Sequence, residues 1–154
     1  MPAWNEAQAR EIIDRHSARE GALLPILHDV QAAFACVPGE AVPFIAEALN
    51  LTRAEVHGVI SFYHDFRDKP AGRHVLKLCR AEACQSMNGA ALAQKVLDRF
   101  ALDWGETTPD GRVTVEAIYC LGLCASAPSA LLDGEPMARL TPQSIDDIAR
   151  QVDR

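Results

Sequence analysis

The sequence predicts an α+β protein in two parts: a small helical bundle over residues 1–70, followed by a β-α-β-β-β-α domain over residues 71–154. Apolar residues recur at helical spacings as far as about residue 66. A stretch containing proline, glycine and charge follows at Asp68–Arg73, and the apolar pattern then changes to short β-rich runs. With 154 residues, 49% hydrophobic and 23% charged, the chain can stabilise such cores without disulfide bonds.

Four amphipathic helices are predicted in the first part. Asn5 is a suitable N-cap for the first, Pro25 falls in the first turn of the second, where proline is tolerated, and Thr52 with Glu55 forms a capping box before the fourth. The side chains expected to face a common core are Ala9, Ile12, Ile13, His16, Leu23, Ile26, Leu27, Val30, Val42, Ile45, Ala46, Leu49, Val56, Val59, Ile60 and Tyr63.

The second part begins with a predicted β-α-β unit and continues with a hairpin. Asp133-Gly134 is a strong hairpin turn signal, and Pro136 places the second arm at a sheet edge. The last helix has Thr141 as its N-cap and Pro142 at its first position. This order of elements is that of the thioredoxin-like fold. The predicted strands are 74–78, 113–119, 129–132 and 136–140, and the predicted helices are 90–100 and the segment after Thr141, with Ile145, Ile148, Ala149 and Val152 facing inward.

Charge and hydropathy exclude several classes of partner. The net charge is −6 with both signs interspersed, so there is no basic stripe for nucleic acid. No window approaches the ~18 uninterrupted apolar residues of a membrane helix, and the N-terminus lacks the layout of a signal peptide. We therefore expect a cytoplasmic protein without direct membrane contact.

Four of the five cysteines form two pairs, Cys79-x4-Cys84 and Cys120-x3-Cys124, each at the C-terminal end of a predicted strand. The two strands of a β-α-β unit are parallel and usually adjacent, so both loops leave the same edge of the sheet. A [2Fe–2S] cluster takes four thiolates, two for each iron, and soft sulfur ligands suit iron–sulfur chemistry. The sequence therefore predicts a [2Fe–2S] cluster on these four residues, with one iron on each loop.

The neighbours of the cysteines suit a negatively charged cluster. Arg80 follows the first ligand, Gln85 and Ser86 approach a helix N-terminus, and Gly122 allows a tight turn in the second loop. Which of these groups donates a hydrogen bond stays open at this point.

Other roles for the cysteines fit the spacing less well. A structural zinc site also uses four cysteines, although its pairs commonly have shorter spacing. A dithiol oxidoreductase requires Cys-x-x-Cys, which neither pair has. Cys36 follows Phe34 and Ala35 on an expected apolar helix face and is interpreted as an inert core residue.

No catalytic or nucleotide-binding residues are predicted. The five histidines are scattered, with His57 and His64 seven apart on one expected helix face, and receive no metal or catalytic role. The chain also lacks a phosphate-binding glycine loop and a recognisable nucleophile–base pair. We therefore expect no substrate site in this chain.

The cysteine spacing, with the second pair set in Cys-Leu-Gly-Leu-Cys-Ala-Ser-Ala-Pro, resembles the thioredoxin-like [2Fe–2S] subunit family of NADH:quinone oxidoreductase, which recurs in NAD-reducing hydrogenases and NAD-dependent formate dehydrogenases. Two helical segments, Leu24 to Gln31 (LPILHDVQ) and Val56 to Tyr63 (VHGVISFY), are also similar to family motifs. The resemblance implies an electron-transfer subunit whose partner is the FMN- and NAD-binding flavoprotein subunit.

Within that family, the segment Cys79 to Met87 (CRAEACQSM) looks most like the gamma subunit of soluble NAD-dependent formate dehydrogenases. The corresponding subunit of complex I or of a hydrogenase stays an alternative, as does a zinc-stabilised interaction module without redox function.

Overall fold

The computed structural model describes residues 4–153. The helices are α1 (Glu6–Ser17), α2 (Leu23–Phe34), α3 (Ala41–Leu49), α4 (Arg53–Phe62), α5 (Glu82–Ser86), α6 (Gly89–Phe100) and α7 (Pro142–Val152), and the strands are β1 (His74–Cys79), β2 (Val113–Ile118), β3 (Ala130–Leu132) and β4 (Glu135–Met137). A single 3₁₀ turn spans Cys124–Ser126. The mixed helix-and-sheet architecture confirms the predicted fold class.

The chain separates into two compact units, with the boundary between Pro70 and Ala71. This division falls where the sequence changes its apolar pattern. That these units are a helical bundle domain and a thioredoxin-like [2Fe–2S] domain stays a prediction.

The N-terminal unit is built by α1 to α4 around one core. Asn5 accepts a hydrogen bond from the backbone N–H of Gln8, and Thr52 and Glu55 form the predicted capping box. The core side chains are Ala9, Ile12, Ile13, Ala22, Ile26, Leu27, Val30, Phe34, Val37, Ala41, Ile45, Ala46, Val56 and Phe66.

One predicted core position of this unit is wrong, and another holds a hydrogen-bonded polar ring. The His16 side chain is only 12% exposed, and its Nε2 lies 2.7 Å from Oδ2 of Asp29 in a hydrogen bond. Tyr63 is exposed, because α4 ends at Phe62 and the backbone of Tyr63 is extended. The end of α4 also places His64 outside the helix, so His57 and His64 do not share a helix face.

The C-terminal unit contains a four-stranded sheet in the order β2-β1-β3-β4. β1 and β2 are parallel, whereas β3 is antiparallel to both β1 and β4. Asp133 and Gly134 both adopt positive φ in the two-residue turn between β3 and β4, and Pro136 lies in the edge strand, as predicted.

One core joins this sheet to α6 and α7. Its buried side chains are Leu76, Leu78, Leu92, Ala93, Val96, Leu97, Phe100, Leu102, Val113, Val115, Ala130, Leu132, Ile145, Ile148, Ala149 and Val152. The four predicted inward positions of α7 are among them. Within residues 4–153, no helix has the length and apolar character needed to cross a membrane.

The sequence did not predict α5. This helix is only five residues long, too short for a visible apolar period, and it contains Cys84. Cys84 therefore lies in a helical turn and not in an open loop.

Candidate metal centre

The parallel pairing of β1 and β2 brings both cysteine loops to one edge of the sheet. Cys79 is the last residue of β1 and is aligned with Ile118, the last residue of β2. The backbone N–H of Arg80 donates to the carbonyl of Ile118 over 2.8 Å, so pairing continues to the point where the loops begin. Cys120 follows two residues after Ile118. The adjacency expected from the β-α-β pattern is confirmed.

The thiols lie in two pairs that approach each other. Cys120 Sγ and Cys124 Sγ are 3.6 Å apart. A tetrahedral metal with metal–sulfur bonds of about 2.3 Å holds two sulfurs about 3.7 Å apart, so this spacing suits two ligands of one metal. In the first pair, the Cys84 side chain lies close enough to lower the pKa of the Cys79 thiol.

Hydrogen bonds converge on the sulfur of Cys79. Burial raises the pKa of its thiol, but donation by the backbone N–H of Ala81, the Cys84 thiol and the N–H groups of Cys120 and Leu121 holds that pKa below its ordinary value. These donors stabilise a thiolate, which is the metal-binding form of cysteine. Because Cys120 and Leu121 belong to the second loop, they also link the two loops at this sulfur.

The pKa of Cys124 moves in the opposite direction. Its hydrogen bond with Cys120 and the negative charge of that neighbour raise the pKa of Cys124, and burial and the charges of Cys84 and Cys79 add to the effect. Four thiolates this close repel one another unless a positive charge lies between them. The donor set thus fits a group that brings iron ions to the site.

The two pairs differ in exposure. Cys79 and Cys84 are 6% and 2% exposed, whereas Cys120 and Cys124 are on the surface. Two large side chains next to the cysteine loops are also exposed: Tyr119, directly before Cys120, and Met87, directly after α5.

The second loop turns through two residues with positive φ. Gly122 has φ 77°, in agreement with the predicted tight turn, but Cys120 itself has φ 73°. A non-glycine residue in this region costs roughly 1–2 kcal/mol. Cysteine has no preference for left-handed backbone, so this conformation could not be predicted from the residue type.

Of the groups considered as donors to the sulfurs, two turn elsewhere. The Arg80 guanidinium lies over the ring of Trp104, 4.8 Å from its centroid, and the Ser86 hydroxyl donates to the carbonyl of Ala83 over 2.8 Å.

A buried serine that the sequence pattern did not single out contacts the first pair. The carbonyl of Ser129 accepts the backbone N–H of Cys79 over 3.0 Å, and its hydroxyl oxygen lies 3.5 Å from Cys84 Sγ. The sequence offered one indication of this role, because Ser129 is a polar residue directly before the apolar residues 130–132 of a predicted strand.

Cys36 lies away from the helical position expected for it. α2 ends at Phe34, Ala35 adopts left-handed backbone, and Cys36 follows in a bend at 8% exposure. It is nevertheless buried, and burial together with Asp68 and Glu40 raises the pKa of its thiol. An inert role for Cys36 stays a prediction.

The described residues contain no group of three or more His, Cys, Asp or Glu side chains placed to hold a single metal ion. Two thiol pairs at one sheet edge can instead supply two sulfurs to each of two irons, which is the requirement of a [2Fe–2S] cluster. Fold and site together define a thioredoxin-like protein of the cluster-binding class.

Comparison with known proteins identifies the family. Residues 9–153 match the thioredoxin-like [2Fe–2S] ferredoxin family, and the chain belongs to it. Its cofactor is accordingly a [2Fe–2S] cluster, which argues against the zinc alternative.

Relatives from several organisms are similar over most of the chain. A subunit of the NADH-quinone oxidoreductase of Mycobacterium tuberculosis is 36% identical over 143 residues, 93% of this chain and 57% of the relative. The HndA subunit of the NADP-reducing hydrogenase of Solidesulfovibrio fructosivorans is 30% identical over 138 residues, 90% of this chain and 81% of the relative. The chain thus spans little more than half of the mycobacterial relative's length.

A solved structure shares the fold. It is the air-oxidized NAD⁺-reducing [NiFe]-hydrogenase, with a TM-score of 0.72 and 30% identity, covering 85% of this chain and 22% of the hydrogenase chain.

Proposed function

We propose that this chain is the [2Fe–2S] electron-transfer subunit of an NAD-linked oxidoreductase, with Cys79, Cys84, Cys120 and Cys124 as the cluster ligands. The observation that carries the proposal is the meeting of two thiol pairs at one end of the parallel strands β1 and β2, with Cys120 Sγ and Cys124 Sγ 3.6 Å apart.

The two cysteine pairs would hold opposite sides of the cluster, one buried and one exposed. When bound, a [2Fe–2S] cluster supplies a site that accepts and releases one electron. Cys79 and Cys84 hold the buried side of the site, where N–H donors from both loops stabilise the sulfur of Cys79. Cys120 and Cys124 form the side exposed to solvent. A short path for electrons to a partner therefore starts at the exposed pair.

The proposed partner is an FMN- and NAD-binding flavoprotein subunit. The support is the function of the relatives, which belong to NADH- and NADP-linked enzymes, together with the absence of any phosphate-binding glycine loop in this sequence. A cytoplasmic location for the complex is part of the proposal.

At finer resolution, we propose the gamma subunit of an NAD-dependent formate dehydrogenase, on the likeness of Cys79 to Met87 to that family. The second candidate is the corresponding subunit of NADH:quinone oxidoreductase or an NAD-reducing hydrogenase, favoured by the relatives in those two enzymes. Purification of the native complex decides between them. Cluster bleaching by formate supports the first candidate, and bleaching by NADH or H₂ but not by formate contradicts it.

The first prediction concerns the cofactor content. Anaerobically purified protein is expected to contain two iron atoms and two acid-labile sulfides per chain, to be coloured through sulfur-to-iron charge transfer, and to give a paramagnetic resonance signal after dithionite reduction. Metal, sulfide and absorbance measurements check this. A colourless protein with one zinc per chain contradicts the proposal, because Zn²⁺ is d¹⁰.

The second prediction is that docking on the flavoprotein depends on the N-terminal helices. Phe62 is 72% exposed at the end of α4, and its ring lies 5.0 Å from that of the exposed Tyr63. Exposed aromatic pairs of this kind are typical of interaction sites. Replacing both by serine is expected to weaken binding to the flavoprotein about tenfold or more while leaving iron content unchanged.

Tyr119→Ser is the matched comparison, since it removes an exposed aromatic from the C-terminal unit. Affinities measured with the purified partner decide the matter. If Tyr119→Ser weakens binding and the Phe62/Tyr63 variant does not, docking lies on the C-terminal unit. A chain that begins at Gly72 provides a second test, with an expected outcome of retained cluster and lost docking.

A further inference from the structure

One serine contacts both members of the buried cysteine pair. Ser129 immediately precedes β3, which runs antiparallel to β1, and this pairing brings its carbonyl to the N–H of Cys79. Its hydroxyl oxygen lies 3.5 Å from Cys84 Sγ, within hydrogen-bonding range of sulfur. Ser129 is 3% exposed and Cys84 is 2% exposed, so water does not compete for this contact.

The direction of the hydrogen bond follows from the chemistry of the ligand. Between a hydroxyl and a free thiol, either group can donate. A sulfur that binds iron carries no proton and can only accept. The hydroxyl of Ser129 must therefore be the donor once Cys84 is a ligand, and the contact also satisfies a buried polar group.

We propose that Ser129 raises the reduction potential of the cluster by donating its hydroxyl hydrogen to Cys84 Sγ. The inference rests on the proposed function, in which Cys84 is a ligand. One-electron reduction adds negative charge to the cluster and its sulfurs. A hydrogen-bond donor to a sulfur stabilises the more negative, reduced form more than the oxidised form, and burial strengthens the effect.

The hydroxyl of Ser129 is a side-chain donor, so a substitution can remove it. The hydrogen bonds to Cys79 come largely from backbone N–H groups, which no side-chain substitution deletes. Ser129→Ala deletes one hydroxyl and leaves the backbone contact to Cys79 in place. Its effect on the potential can therefore be separated from the positioning of the loop.

The test is a mediated redox titration of four full-length proteins: wild type, Ser129→Ala, Ser129→Thr and Ser86→Ala. Dithionite supplies the electron, and the paramagnetic signal and the visible absorbance report reduction. Ser129→Thr keeps the hydroxyl. Ser86→Ala is the matched control, because it removes a nearby exposed hydroxyl that donates to the carbonyl of Ala83 and not to sulfur.

We expect Ser129→Ala to retain wild-type iron and sulfide but to be harder to reduce. The expected change is about tenfold in the equilibrium constant for reduction, or about 59 mV toward negative potential for one electron. Ser129→Thr and Ser86→Ala are expected to have the same reduction potential as the wild type. A fully loaded Ser129→Ala protein with an unchanged potential overturns the inference.

The remaining outcomes are also decisive. If Ser129→Ala assembles no cluster, a Ser129→Cys variant decides, because a thiol is a weaker donor than a hydroxyl. A shift of its potential to more negative values supports the inference, and an unchanged potential overturns it. If the wild-type protein itself contains no iron and sulfide, the proposed function fails. A loaded wild type with an unshifted alanine variant refutes only the role of Ser129.

Discussion

Replacing Cys84 by serine is expected to abolish cluster assembly in the full-length protein. A serine hydroxyl is a harder and less acidic ligand than a thiol, so one iron loses a soft donor. At 2% exposure, neither water nor another side chain can easily take the vacant coordination position. Serine replacement of Cys79, Cys120 or Cys124 is expected to have the same result, because each likewise leaves one iron without a soft donor. Burial adds to the loss at Cys79 but not at the exposed Cys120 and Cys124. Iron and sulfide content should fall to near zero and the visible absorbance should disappear.

Cys36→Ser is the control for this experiment. Cys36 is also buried, at 8% exposure, so its replacement introduces a hydroxyl into a similar environment without touching the proposed site. We expect this variant to retain a full cluster. A Cys84→Ser protein with normal sulfide content, or a Cys36→Ser protein without a cluster, contradicts the ligand assignment.

Gly89→Ala is expected to damage the site from outside the ligand set. Gly89 is the buried first residue of α6, and a Cβ added there would lie 2.5 Å from the carbonyl oxygen of Cys84 and 2.9 Å from its carbonyl carbon. Both atoms are backbone and cannot rotate away, so α5 must move together with its cysteine. Overpacking of this kind typically costs about 1–3 kcal/mol. We expect a lower unfolding temperature and a reduced iron content.

Gly58→Ala provides the matched control. Gly58 lies within α4, and nothing is within 4 Å of a Cβ added there. Alanine is favoured over glycine inside helices by roughly 0.5–1 kcal/mol, so this variant should be slightly more stable and should keep its cluster. Thermal unfolding followed by circular dichroism, with iron content measured on the same samples, checks both variants. Equal behaviour of the two proteins refutes the proposed clash at Cys84.

Several features follow from local sequence chemistry and were predicted correctly. Asn5 and Thr52 cap their helices because short polar side chains satisfy free N–H groups wherever the chain enters a helix. Asp133-Gly134 forms the hairpin turn because both residues tolerate positive φ. The parallel pairing of β1 and β2 follows from the β-α-β order, and with it the meeting of the two cysteine loops.

The sequence missed features where an element is too short to show an apolar period, where a contact joins residues far apart in sequence, and where a helix ends earlier than the apolar spacing indicates. The five residues of α5 show no period, so the helical environment of Cys84 was missed. The helical spacing placed His16 on the core face of α1, but it could not show that the ring hydrogen-bonds to Asp29 on the neighbouring helix α2. The end of α4 at Phe62 left Tyr63 exposed where the apolar spacing predicted burial.

The sequence by itself predicted the class of cofactor from four thiols at strand ends within a β-α-β unit, and the family match confirmed it against the zinc alternative. Only the tertiary structure decided which pair is buried, that Cys120 adopts left-handed backbone, and that Ser129 lies against Cys84. The proposed ligands follow from residue type and topology, and both can be inferred from the sequence. Burial and sulfur hydrogen bonding depend on contacts between residues far apart in sequence, such as Cys84 and Ser129, and these exist only after β3 has paired with β1.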